Sequence, residues 1–226
     1  MNERPPVRAL LLDFDGTMLE TESSSYGSWR ELLAEHGYEL TPETWAGRVG
    51  TIGGVDPIAL LEEHLGTPVD REALEARARE RHLEMLAEER LRPGIQELVD
   101  DAHERGLRTA IVTSASRRWV RSHLHRLGLA DEWDHVFSAD RDPARAKPAP
   151  LLYLEAADAL GIEPAEALAL EDSPNGVRAA RSAGMQVVAF PNAVTEAMDL
   201  READLVVGEL DGLGLEGLLA RLGRSA

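Results

Sequence analysis

The segment Leu10-Leu11-Leu12-Asp13-Phe14-Asp15-Gly16-Thr17 constrains the fold of this chain more than any other. A run this apolar suits a parallel strand buried on both faces. Gly16 marks the point where the chain must turn. In open α/β sheets ligands bind just beyond the carboxyl ends of the strands, which is where this run delivers two acids. Carboxylates so close repel each other unless a proton or a cation intervenes. A hard, oxygen-seeking ion such as Mg²⁺ meets that need.

The remainder of the chain fixes what surrounds this strand. From residue 95 onward, helix and strand patterns alternate. Strands are expected at 109–113, 136–137, 167–170, 186–190 and 204–207, and helices at 95–105, 116–127, 148–160 and 174–183. Such alternation implies a Rossmann-like parallel sheet covered by helices on both faces, an α/β fold. Residues 20–89 read differently, as helices near 23–36, from Pro42, from Pro57 to about Gly66, and over 70–89. This stretch has no place within a βα layer. It is expected to be an inserted α-helical cap domain, with residues 1–19 and 90–226 forming the core and hinges near 17–21 and 89–93.

Composition narrows the partners. The 226 residues are 43% hydrophobic and 29% charged, with no cysteine and a net charge of -17. That charge disfavours nucleic acid and anionic membranes, which attract basic surfaces. No window reaches the roughly 20 apolar residues of a membrane helix. The segment Met1 to Pro6 lacks a signal-peptide apolar region. A cytoplasmic protein is expected, as a monomer or weak homodimer. Lys147 is the only lysine; every other basic side chain apart from the histidines is arginine. A site needing a compact point charge rather than a planar fork would keep a lysine.

Three further features fall at expected strand ends. Thr113-Ser114-Ala115-Ser116 puts hydroxyls and helix-start N–H groups together, an anion-binding arrangement. Lys147-Pro148 follows a loop, and Glu171-Asp172-Ser173-Pro174-Asn175-Gly176 brings two more acids. Taken singly, Asp172, Ser173, Thr113 and Ser116 also suit helix caps.

Taken in order, these four motifs resemble the haloacid dehalogenase superfamily, in the branch of β-phosphoglucomutase and related sugar-phosphate phosphatases. The resemblance covers nearly the whole chain. It implies that Asp13 attacks phosphorus and forms an aspartyl-phosphate, with Asp15 as acid and then base. It implies a Mg²⁺ site from Asp13, the Asp15 carbonyl and Asp172, with Glu171 as ligand or neighbour. Lys147 would bridge Asp13 and the phosphoryl oxygens, and Thr113 or Ser114 would bind another; spacing leaves that choice open. The partner implied is a small phosphorylated metabolite.

Departures from relatives narrow the reaction. Asp15 favours phosphoryl transfer over dehalogenation, and a cap without lysine excludes Schiff-base phosphonate chemistry. The Gly50–Gly54 loop holds no arginine, and Ser25 stands where the mutase has histidine. A phosphate-monoester hydrolase is therefore expected. A phosphosugar mutase is the alternative, since Arg48, Arg117 and Arg118 leave room for a second anion, and a non-catalytic phospholigand binder is a further one. Expected substrate-side residues are Glu20, Thr21, Ser25, Trp29, Arg48, Ser116 and Arg117. The seven histidines lack metal-ligand spacing and are expected at the surface or in packing. Arg77, Arg79 and Arg81 are expected on a solvated helix face.

Overall fold

The computed structural model of the protein describes residues 5–223, so most of the polar Met1–Pro6 segment lies outside it. Its centre is a six-stranded, all-parallel sheet ordered β3-β2-β1-β4-β5-β6. The strands are β1 (Ala9–Leu12), β2 (Arg108–Thr113), β3 (His135–Ser138), β4 (Ala167–Glu171), β5 (Gln186–Ala189) and β6 (Leu205–Val206). Strand order reverses between β1 and β4, and such a switch point opens a crevice at the strand ends. Leu12 sits in register with Ile111 on one side and Leu170 on the other. The residues that follow each of these strands therefore meet in that crevice.

The run in β1 works because both of its faces are covered. Leu10 and Leu12 join one apolar cluster with Ile95, Leu98 and Val99 of α5 (Ile95–Glu104) and Leu215 and Leu218 of α9 (Gly214–Arg221). Ala9 and Leu11 join the opposite cluster with Tyr153 and Ala156 of α7 (Leu151–Leu160) and Val177 and Ala180 of α8 (Pro174–Ser182). Alternate side chains point to opposite faces of a strand, so one four-residue strand serves both layers. Burying each leucine contributes about 1.5–3 kcal/mol.

Between β1 and α5 lie α1 (Thr21–Ala34), α2 (Pro42–Trp45), α3 (Pro57–Leu65) and α4 (Arg71–Leu86). They bury a cluster of their own around Trp29, Leu32, Trp45, Ile58, Leu61 and Leu74. Asp56 caps α3 before Pro57, Gly66 ends it in the left-handed conformation, and Asp70 caps α4. The chain enters and leaves this helical stretch side by side. Leu19 and Leu91 form an antiparallel bridge, and Arg92 N–H donates to the Met18 carbonyl at 2.8 Å. The Arg92 guanidinium lies over the Phe190 ring at 3.5 Å and donates to the carbonyls of Gly16, Phe190 and Pro191.

Several expected boundaries move. Helix α7 begins at Leu151, not 148, because a residue before proline is pushed away from helical geometry and Pro150 follows Ala149. Helix α1 begins earlier, at Thr21, because Glu20 caps it by accepting from Ser23 N–H at 3.1 Å. Helix α9 has no counterpart in the sequence reading. No helix among the described residues is long and apolar enough to cross a membrane.

Candidate active site

Asp13 follows β1 directly, its N–H donating to the Leu170 carbonyl at 3.0 Å. This bond carries the sheet register one residue past the strand and ties the acid to β4. Gly16 then turns the chain at φ 83°, and a Cβ there would come within 2.2 Å of Asp172 Oδ2. Only glycine suits both that conformation and that approach. Lys147, expected as a site residue, is 1% exposed. Its ammonium touches Asp13 Oδ1 and lies 2.6 Å from Glu171 Oε1. Burial alone would lower its pKa, but the two carboxylates outweigh burial and hold it above the usual lysine value.

Asp13, Glu171 and Asp172 each present a carboxylate oxygen within 4.8 Å of the others. Three buried carboxylates around one ammonium leave two negative charges uncompensated. Burial is the main cause that raises the pKa of both Glu171 and Asp172, with Lys147 pulling each back. Glu171 Oε2 and Asp172 Oδ1 are buried without a hydrogen-bond partner. A buried charge needs an opposite charge or a metal, so a cation fits here by charge, by ligand type and by available lone pairs. The remaining oxygens are engaged. Tyr153 hydroxyl donates to Glu171 Oε1. Asn192 Nδ2 donates to Asp172 Oδ2 at 2.7 Å, while its Oδ1 accepts from Val194 and Thr195 N–H, which fixes the orientation of the amide.

Asp15 sits beside this cluster. Burial and the Asp13 charge push its carboxyl up to about 6, against an opposing hydrogen bond from Trp119. That bond runs from the indole Nε1 to Asp15 Oδ1 at 2.8 Å. Thr113 Oγ1 accepts from Ala115 N–H at 3.0 Å. Ser114 Oγ accepts from Lys147 N–H and donates to the Gly50 carbonyl, both at 3.1 Å. Ser116 and Ser173 are the N-caps of α6 (Arg117–Leu127) and α8, so Ser173, not Asp172, fills the capping role there.

A cavity of about 640 Å³ opens over Asp13 and Asp15. Its floor includes Thr113, Ser114, Ser116 and Trp119, and its walls include Thr21, Ser25, Trp29, Arg48 and the Gly50–Gly53 stretch. Two residues expected on the substrate side fall elsewhere. Glu20 is spent capping α1, and Arg117 begins α6 in an exposed position with its N–H on Asp140 Oδ1; neither lines the cavity. Two expectations need correction. Arg77 and Arg81 pair with Glu35 across the outside of α1 and α4, but Arg79 lines the cavity. His82 also lines it, kept neutral by burial that lowers its pKa to about 4.

Sequence reasoning also missed Trp119, Tyr153, Asn192 and Glu22. Glu22 lines the cavity, and burial together with the charges of Asp15 and Asp13 raises its carboxyl to about 8. Tyr153 and Trp119 carried one usable signal: each lies within the helix that follows a motif, facing back towards the strand ends.

These features describe a hydrolase built on a parallel sheet and centred on carboxylates. The model of haloacid dehalogenase-like hydrolases matches residues 7–184, and the chain belongs to that family. It is 39% identical over 198 residues to YhcW of Bacillus subtilis (strain 168), named as a phosphatase, covering 88% of this chain and 90% of that one. Against protein CbbY of Rhodobacter capsulatus the identity is 34%, covering 94% and 97%. A solved structure of mutant CbbY from Rhodobacter sphaeroides, in complex with xylulose-(1,5)bisphosphate, superposes with a TM-score of 0.75 at 30% identity, covering 94% and 99%. The chain is thus an enzyme of the phosphatase kind within this family.

Proposed function

We propose that this protein is a Mg²⁺-dependent phosphatase acting on a small phosphate monoester, a sugar phosphate or similar metabolite, through an aspartyl-phosphate on Asp13. The observation that carries this reading is the buried Asp13–Lys147–Glu171–Asp172 cluster opening onto a cavity that also presents Asp15. Asp13, Asp172 and the Asp15 carbonyl would hold the metal, with Glu171 alongside. When bound, the ion neutralises the carboxylates and the phosphoryl oxygens, so that anion can approach anion.

The chain's own residues do the rest. A carboxylate oxygen of Asp13 attacks phosphorus as the ester P–O bond breaks, and Asp15 gives its proton to the leaving oxygen. Water then attacks the phosphoryl-Asp13, giving its proton to Asp15 and returning both acids to their starting states. Lys147 pairs with Asp13 and stabilises charge on the transferring group. Either hydroxyl suits the phosphoryl oxygens: Thr113 Oγ1 accepts from Ala115 N–H and keeps its hydrogen to donate, whereas Ser114, against the Lys147 backbone, would turn its hydrogen from the Gly50 carbonyl to do so.

Residues 20–89 act in this reading as a cap over the core, pivoting at the bridge between Leu19 and Leu91 and excluding water when shut. Val49 and Gly50 carbonyls accept from Asn175 and Ser114, a second contact between the two parts. The test is a panel of phosphate monoesters, with xylulose bisphosphate among them because the CbbY neighbour was solved with it. Mg²⁺-dependent release of phosphate that stops with EDTA is expected. A hexose 1-phosphate isomerised without phosphate release would instead establish the mutase alternative, for which Arg48 and Arg79 in the cavity wall supply anion-binding groups.

A further inference from the structure

The geometry points to Trp119 as a positioning residue that holds Asp15 in the orientation its proton transfers require. The inference rests on the reading of Asp15 as acid and base given above.

The two residues come from distant parts of the chain. Asp15 follows β1, whereas Trp119 lies in the first turn of α6, behind β2. Its indole Nε1–H donates to Asp15 Oδ1 at 2.8 Å, within normal hydrogen-bond range. The ring is held from both sides. His123, one turn further along α6, meets it edge to face with centroids 4.3 Å apart. His82 of α4 lies 5.6 Å away on the cavity side. Its backbone N–H is fixed as well, donating to the capping Ser116 hydroxyl at 3.3 Å. A side chain so enclosed presents its donor along one direction only. The C=O oxygen of a carboxylic acid accepts better than its O–H oxygen, so the indole bond to Oδ1 favours the proton on Oδ2. The indole thereby decides which oxygen of Asp15 is the working one.

It also acts on the charge that appears. As the ester P–O bond breaks, its electron pair stays on the leaving oxygen, which takes the Oδ2 proton, and Asp13 gains the bond to phosphorus. Asp15 is left as a carboxylate with Oδ1 already accepting from the indole. A hydrogen bond to the charged form favours that form. When water attacks, its proton returns to Oδ2 and the Asp13–phosphorus bond breaks. The packing explanation, that Trp119 merely fills space below α4, accounts for the His82 and His123 contacts but not for a donor aimed at this carboxylate.

The experiment compares wild type, Trp119→Phe and Asp15→Asn on 4-nitrophenyl phosphate and benzyl phosphate. 4-Nitrophenolate leaves without a proton, whereas the benzyl alkoxide requires one. The readout is the ratio of kcat/KM for the two esters, which is independent of the fraction of folded enzyme. Phenylalanine keeps an aromatic ring at this position and removes the donor with part of the indole's bulk, and a general loss of activity from that bulk cancels in the ratio. The ratio of 4-nitrophenyl over benzyl is expected to rise about tenfold in Trp119→Phe, and further in Asp15→Asn because a general acid contributes about 10²–10⁴-fold. A ratio that stays at the wild-type value in Trp119→Phe while rising in Asp15→Asn overturns the role of Trp119 alone. A ratio unchanged in Asp15→Asn overturns the acid itself, and the positioning role with it.

Discussion

The cavity has two walls of different origin. One is made of strand ends, Asp13 after β1 and Thr113 at the end of β2, with Glu171 and Asp172 buried beside Asp13 at and after the end of β4. The other is made of helix faces and the loop between α2 and α3, presenting Arg48, Glu75, Arg79 and His82. On the first wall, position along the chain dictates position in space, because parallel pairing brings every strand's carboxyl end to one edge. On the second wall nothing local does so. Helix α4 buries only Leu74, Ala78 and Leu86 and carries charges on the rest of its surface. A charge there faces either solvent or the cavity, and packing against α1 decides which. In the proposed function, chemistry is thus written in backbone topology, and selectivity in side-chain packing.

The largest expected effect falls on the strand-end wall. Asp13→Asn should lower the rate of phosphate release by about 10³-fold or more, since it removes the proposed nucleophile. The same change should not destabilise the metal-free protein, because it removes one of the carboxylates crowded around Lys147. Activity and thermal unfolding measured on one preparation check both halves. A parallel loss of stability would mean that this wall, like the other, depends on packing.

The extent to which the sequence could be read follows the same division. The Asp13-to-Thr17 turn and the motifs around Thr113, Lys147 and Glu171 were legible because apolar strands, glycine turns and caps are local signals. Asn192 was not, since its role comes from reaching Asp172 across the crevice, 20 positions away in sequence. Helix α9 was hidden by glycines at 212, 214, 217 and 223, which mask the apolar face of Leu215, Leu218 and Leu219. On α4 a signal existed but was diluted. Glu75, Arg79 and His82 recur at spacings of four and three, so they share one face, while Arg77 and Arg81 share another, on which both meet Glu35.

The junction of the two walls offers the next effect. Gly50 has φ 72°, and a Cβ there would lie 2.2 Å from Ser173 Oγ. Gly50→Ala should push the loop off both Ser173 and Ser114, lowering kcat/KM about tenfold, the scale of one lost local conformation of roughly 1–3 kcal/mol. Steady-state kinetics check it. A smaller change is expected from Arg79→Ala. If this wall selects substrate without taking part in bond breaking, KM should rise about three- to tenfold with kcat nearly unchanged. A fall in kcat with KM constant would place Arg79 with the chemistry and remove the distinction between the walls.

Glu22 gives the smallest and most discriminating test, because it stands on α1 yet feels the strand-end acids. Burial, followed by the charges of Asp15 and Asp13, raises its folded pKa to about 8, against an ordinary value of 4.5. The folded state therefore holds the proton more tightly than the unfolded chain does. Stability linked to this group is fully present below pH 4.5 and is lost as pH rises through about 8. Glu22→Gln keeps the shape and removes the titration. In the metal-free protein it should leave the melting temperature unchanged at pH 4.5 and raise it at pH 8.5 by about 2–4 °C, corresponding to roughly 1 kcal/mol after allowance for partial solvent access. Saturating Mg²⁺ should shrink the gain, because a cation among Asp13, Glu171 and Asp172 offsets the field that Glu22 feels. Thermal melts of both variants across pH, with and without metal, check each limb. An equal gain at both pH values would mean that Glu22 belongs to the helix wall alone and that the two walls are electrostatically separate.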